Sequence, residues 1–404
     1  MFVLAACGDA EPPPPAEATE SPAVPTAAVP VDRHRGLWVL CEGSQRVLEN
    51  PERIQALLDD ARQLGTTDLF VQVYRGGRAW FDSSLADAAP YRALVAATGR
   101  DTLAELVERA HAAGLRVHAW VNVFSLAGNT RATLLDDLGR DAVLVDRKGR
   151  SILDYPQLDV PPPDRRYYRM GTPAVYLDPG APGVRERLVA IFAELMQRYP
   201  ALDGLHLDYI RYPDVLPFVP GSRFGVGLDF GYGAKTRARF EAETGLVAGP
   251  DAAPAVANRW DAWRRDQVTA MVSAARAAVL AASPTAQVSA AVWTYADRAY
   301  LALGQDWRGW LDAGLLDFAV PMAYTLDDHL LAQIAATFGG LPTHDRIWIG
   351  LGSWLFRKNP PRARAQLRIA AGVATGGDAL FSWDSIADAP ELRAALFAEA
   401  SDAP

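Results

Sequence analysis

The sequence has little of several things that would place it outside the common globular enzymes. Two cysteines occur among 404 residues, too few for a disulfide scaffold. Cys7 follows Val3-Leu4-Ala5-Ala6 and Cys41 closes an apolar run, so the two stand in different contexts and are not expected to pair. No stretch reaches the roughly 18 consecutive apolar residues that span a bilayer. Basic runs of the kind that track phosphates are missing and the net charge is −8, which sets nucleic acid aside as a partner. The His-Glu-x-x-His, Gly-x-Ser-x-Gly and phosphate-cradling glycine patterns do not occur, which disfavours metalloprotease, serine-hydrolase and dinucleotide readings. The histidines at 34, 111, 118, 206, 329 and 344 form no tight ligand pair. No cofactor and no metal are expected, and no obligate protein partner can be inferred.

What is present is apolar and periodic. Half of the residues are hydrophobic, enough for a large core. From Arg35 onward, β-rich runs alternate with helical patterns, and the count reaches eight: 36–41, 68–74, 115–122, 205–208, 288–293, 318–322, 347–351 and 379–383. That alternation predicts an α/β fold, a single (β/α)₈ TIM barrel. Asn50-Pro51-Glu52 supplies a cap, a first-turn proline and an acid for one helix, which Gly65 closes. Ile54, Leu57, Leu58, Ala61 and Leu64 give that helix one apolar stripe. Thr102 to Ala113 repeats the scheme and ends at Gly114. The connections 124–182 and 209–258 are far longer than such loops need. They read as insertions after the third and fourth strands, walling a cleft on the carboxyl-end face; a separate small domain over 124–171 is the alternative.

The densest chemistry lies in Asp203-Gly204-Leu205-His206-Leu207-Asp208-Tyr209-Ile210-Arg211-Tyr212-Pro213. Alternation puts His206 and Asp208 on one face of a short strand and Leu205, Leu207 and Tyr209 on the other. A carboxylate at the carboxyl end of a barrel strand is a catalytic candidate. The other polar and aromatic residues expected at strand ends are Gln72, Tyr74, Arg75, His118, Trp120, Asn122, Arg211, Trp293, Tyr324, Trp354 and Trp383. Indoles offer flat faces to sugar C–H groups, and glycosidic cleavage needs two carboxyl groups, one to protonate the leaving oxygen. Asp208 is expected to be the ionised member, held charged by Arg211 and Tyr209. Its partner is open among Glu42, Asp384, Asp297 and Asp327. His118 and His206 read as buried donors that orient carboxylates; a zinc site built from them with Asp208 is a further alternative.

In these residues the chain resembles the glycosyl hydrolase-like 10 family of bacterial proteins. The matching segments are Arg35-Gly36-Leu37-Trp38, His118-Ala119-Trp120-Val121-Asn122, Tyr176-Leu177-Asp178-Pro179 and the 203–213 stretch. Asp306-Trp307, Pro321-Met322-Ala323-Tyr324 and Phe381-Ser382-Trp383 complete the set. The resemblance implies an envelope-associated hydrolase of glycans, with peptidoglycan strands or a surface polysaccharide as substrate. The seventh strand carries no carboxylate, unlike barrels with glutamates after strands four and seven. At the other end of the chain, Leu4-Ala5-Ala6-Cys7 is similar to a bacterial lipoprotein box, although only six residues precede Cys7 and no basic leader is present. Residues 1–7 are therefore expected to be a partial lipoprotein signal, 8–34 a Pro/Ala-rich disordered tether and 35–400 the barrel. Lipid on Cys7 would place the protein in the periplasm or at the cell surface. A non-catalytic carbohydrate-binding lipoprotein and a metal-assisted deacetylase or amidase are the competing readings.

Overall fold

The computed structural model describes residues 33–157, 174–213 and 230–401. Cys7 and the proline-rich segment lie outside them, as do parts of both long connections. The strands are β1 (His34–Val39), β2 (Asp68–Arg75), the two-residue β3 (Arg78–Ala79), β4 (Arg116–Asn122), β5 (Gly204–Asp208), β6 (Gln287–Val292), β7 (Phe318–Pro321), β8 (Trp348–Gly352) and β9 (Gly377–Phe381). Their order is β7-β6-β5-β4-β2-β1-β9-β8, with β3 hanging antiparallel from β2. The ends meet through isolated parallel bridges, Ala319 with Ile347 and Met322 with Gly350, so the barrel is nearly closed. Pro321, which has no amide hydrogen to give, sits at that seam.

Burial on both faces explains why the strands read as continuous apolar runs. Leu37, Val39, Leu69, Val71, Val117, Leu205, Leu207 and Ile349 point outward into the layer shared with the helices. Trp38, Phe70, Trp120, Phe318, Val320 and Trp348 point inward and fill the barrel. The filling is aromatic: Phe318 and Trp348 stack at 3.9 Å, and Phe70 stacks on His206 at 4.2 Å. Gly204 makes room for it, since a Cβ there would lie 2.4 Å from the Gln287 carbonyl oxygen and 2.5 Å from His118 Nδ1.

Helix punctuation differs in detail from expectation. The first helix opens as a 3-10 turn, Pro51–Arg53, before Ile54–Gln63, and the Asn50 side chain makes no capping bond. Its amide instead donates to the Arg46 carbonyl at 3.1 Å, because the preceding turn folds back over it. A helix not expected from the sequence, Ala89–Thr98, comes next, and the one after it, Thr102–Ala112, is capped by Asp101, whose carboxylate accepts from the Ala104 amide. Phe124, Leu134, Val143, Tyr176 and Leu177 belong to the same apolar cluster as the outer barrel layer. The described part of the first long connection is thus continuous with the main core.

Candidate active site

Strand β5 delivers Asp208 to the carboxyl-end mouth, 7% exposed. The next residue, Tyr209, turns the chain at φ +51, a left-handed conformation that costs a tyrosine energy and that clusters at functional sites. The turn lets the Tyr209 amide donate to Asp208 Oδ1 at 2.7 Å, while Trp120 Nε1 donates to Oδ2 at 3.2 Å. Burial pushes the Asp208 carboxyl up from its ordinary value, and the Arg211 guanidinium, the amide and the indole offset this only in part. The balance of these influences runs toward the protonated form, with Arg211 pulling the other way. No ion pair joins the two among the described residues.

Aromatic rings stand over one side of the mouth. Trp354, 37% exposed, meets Tyr324 edge to face at 4.7 Å and Phe381 at 5.5 Å. Tyr324 lies within the field of Asp208, which together with burial drives its hydroxyl well above the ordinary range. Half-buried Trp293 continues the wall under Arg298, 5.2 Å above its ring. After β1, three strands round the barrel from Asp208, Glu42 is gripped by Arg75 and by Arg78, the latter at 2.8 Å. On the strands between Glu42 and Asp208 runs a line of amides: Gln72 Nε2 donates to Asn122 Oδ1 at 3.2 Å, and Gln72 Oε1 accepts from Cys41 Sγ at 3.2 Å. Both amides are buried.

Several expected site residues lie elsewhere. His118 and His206 are fully buried inside the barrel, one layer or more below the mouth. His118 Nε2 pairs with Asp68 Oδ1 at 2.8 Å, so it orients a carboxylate, though not a rim one. His206 Nε2 accepts from Trp38 Nε1 at 3.1 Å and its Nδ1 bonds Ser289 Oγ at 2.9 Å, which leaves no nitrogen for zinc or for Asp208. Burial holds it neutral, well below the usual imidazole value. Among the described residues, no group of three or more His, Cys, Asp or Glu side chains is arranged to hold a metal ion.

Tyr74 faces the helix layer, edge-on to Phe192 at 6.0 Å. The register between β2 and β4 shifts between Gln72 and Tyr74, and such a bulge puts two successive side chains on one face. Trp383 also points outward, donating to Asp60 Oδ2 at 3.0 Å, because β9 stops at Phe381 and a helix begins at Trp383. Trp120 is 3% exposed and serves Asp208 from beneath.

The carboxylates separate by role. Asp384 is 4% exposed and accepts from the amides of Leu40 and Gln45 at 3.3 and 2.9 Å, fixing the loop that carries Glu42. Asp327 caps the helix Asp328–Gly339 through the His329 and Leu330 amides. Asp297 is solvent-exposed in the first turn of Ala296–Leu303. Sequence reasoning passed over Phe381, Arg78 and, as a site residue, Tyr176, which is fully buried against Tyr209 at 6.1 Å. Its place in the Tyr176-Leu177-Asp178-Pro179 segment was the available signal.

The model of the family described as Glycosyl hydrolase-like 10 matches residues 33–337. The glycosyl hydrolase DigH of Escherichia coli (strain K12) is 25% identical over 378 residues, covering 84% of this chain and 76% of DigH. The glycosyl hydrolase YngK of Bacillus subtilis (strain 168) is 25% identical over 295 residues, covering 69% of this chain and 50% of YngK. Among solved structures, α-L-fucosidase isoenzyme 2 from Paenibacillus thiaminolyticus has a TM-score of 0.56 at 14% identity, over 91% of this chain and 49% of that longer one. The catalytic domain of β-amylase from Paenibacillus polymyxa has a TM-score of 0.54 at 13% identity, over 92% of this chain and 100% of its own. At such identities the likeness is one of fold.

Proposed function

The chain belongs to the Glycosyl hydrolase-like 10 family, and from that premise we propose that it cleaves glycosidic bonds in a bacterial envelope glycan, either peptidoglycan strands or a surface polysaccharide. Asp208 is the proton donor and Glu42 the ionised partner. The observation that carries this is the state of Asp208: a carboxyl group at the end of a barrel strand, below an aromatic wall, pushed by burial toward its protonated form. A leaving oxygen needs a proton from just such a group, while a second carboxylate stays charged to serve the anomeric centre. Glu42 suits the second task because Arg75 and Arg78 pair with it. It also sits across the mouth: β1 and β5 are separated by β2 and β4, three strand steps of about 4.8 Å each at the backbone.

The test is incubation with purified peptidoglycan and with neutral and charged surface polysaccharides, followed by reducing-end assay and mass analysis of products. Glu42→Gln is expected to lower turnover by about 10²–10⁴-fold with an unchanged circular dichroism spectrum; full activity in this variant removes Glu42 from the pair. A binding protein that holds glycan without cutting it is favoured by one observation. No second carboxylate acts on Asp208 among the groups that set its ionisation. Saturable glycan binding with no new reducing ends would select that reading.

Envelope placement through lipid on Cys7 is part of the proposal, supported by Leu4-Ala5-Ala6-Cys7. The wild-type chain is expected to take up a clickable fatty acid in bacterial cells and partition with membranes, and Cys7→Ser to do neither. Labelling that survives the substitution removes Cys7 as the anchor.

A further inference from the structure

We propose that Arg211 recognises a carboxylate on the sugar seated at Asp208, which makes the substrate an acidic glycan. The inference rests on the glycosidase reading and narrows it. Arg211 is 5% exposed, and its Nε and Nη1 have no hydrogen-bond partner among the described residues. A guanidinium carries five donors and never loses its charge in a folded protein, and leaving such a group desolvated and unpaired is costly. A ligand anion is the natural compensation.

The surroundings supply more of the receptor. The guanidinium lies 4.7 Å from the centre of the Tyr209 ring, which fixes its plane. The Tyr176 hydroxyl, fully buried, lies within weak hydrogen-bonding reach of the guanidinium and has no other partner among the described residues. Asp208 does not neutralise the charge, since no ion pair links the two among the described residues and burial favours its neutral form. Of the other guanidiniums at the mouth, Arg75 and Arg78 are committed to Glu42 and Arg298 lies over Trp293. One cation with no carboxylate partner, and a hydroxyl beside it, fit a monoanion. A planar carboxylate matches the guanidinium fork, whereas a phosphate dianion calls for a second free cation.

Such a contact acts on the chemistry as well as on binding. Arg211 is the largest influence holding the Asp208 carboxyl down. A substrate carboxylate on Arg211 cancels that field and adds a like charge near Asp208, so the acid keeps its proton to higher pH. Acidic substrates then arm the proton donor that neutral ones leave weaker.

The experiment uses uronate-containing oligosaccharides, each paired with its carboxyl-reduced counterpart, titrated calorimetrically into the wild-type chain, Arg211→Gln and Arg211→Lys. Wild type is expected to prefer the acid form of at least one pair by about tenfold or more, Arg211→Gln to bind both members alike, and Arg211→Lys to keep part of the preference. Equal wild-type affinity within every pair, no binding of any pair, or a preference that survives in Arg211→Gln overturns the inference. The wild-type ratio decides even if a variant fails to fold. Reducing ends counted in the same mixtures keep the two readings apart. Equal cleavage of both members removes the carboxylate contact and leaves the hydrolase, while discrimination without cleavage does the reverse.

Discussion

Asp208→Asn is expected to lower kcat/KM on the cleaved glycan by about 10²–10⁴-fold, the usual worth of a positioned proton donor, while the melting temperature moves little. The two outcomes belong together. The carboxyl is buried beneath the aromatic wall and its ionised form is disfavoured there, so a neutral amide relieves that cost while removing the proton, but its NH2 faces one of the two donors that Asp208 accepts from, the Tyr209 amide or the Trp120 indole, and the two effects offset. The sign with pH follows. Because the acid works when protonated and its pKa is raised, kcat/KM is expected to fall as pH rises through that raised value, and Asp208→Asn to lose this alkaline limb. Cleavage that persists in Asp208→Asn, or a large fall in its melting temperature, assigns Asp208 a structural task instead.

Trp38→Ala is expected to cost about 3–5 kcal/mol of stability, read as a lower midpoint in guanidinium unfolding. Trp38 fills the barrel beside Phe70 at 5.4 Å, His206 at 5.8 Å and Phe381 at 5.8 Å, and its indole hydrogen satisfies His206 Nε2. Truncation leaves a cavity and an orphaned buried acceptor together. Trp354→Ala, at the half-open rim, is the control and is expected to cost less than about 1 kcal/mol. A loss of similar size in both variants contradicts the account of a filled barrel. His206 adds a pH signature: its native pKa is depressed, so below pH about 6.5 the unfolded chain takes up a proton that the native state refuses, and stability declines with further acidification.

The barrel was legible because its signal is local. Eight apolar runs alternating with helical patterns, with Gly65 and Gly114 ending helices, need no knowledge of distant residues. Asp208 was legible for the same reason, standing last in its strand. What stayed hidden depends on neighbours. His118 and His206 share the inward face with Asp208, but which inward residue reaches the mouth and which is stacked below it is set by the stagger between strands, visible in the pairings of Trp120 with His206 and Asn122 with Asp208. The burial acting on Asp208 was hidden as well: Arg211 is close in sequence, whereas the packing that pushes the carboxyl up comes from the folded rim. Trp383 looked like a strand terminus until Phe381 took the inward position and the backbone turned into a helix.

The bulge in β2 has a consequence for how this mouth could change over generations. Because Val73 is the surplus residue, Tyr74 is rotated away and Arg75 swings in to clasp Glu42. Deleting Val73 would remove the bulge yet leave Tyr74 facing outward and Arg75 at the opening, because Tyr74 keeps its place opposite Val121. A straightened β2 that kept all of its residues would instead turn Tyr74 into the opening and Arg75 away, so a shift of pairing, with no change of length, is the route by which relatives could trade a charged lip for an aromatic one.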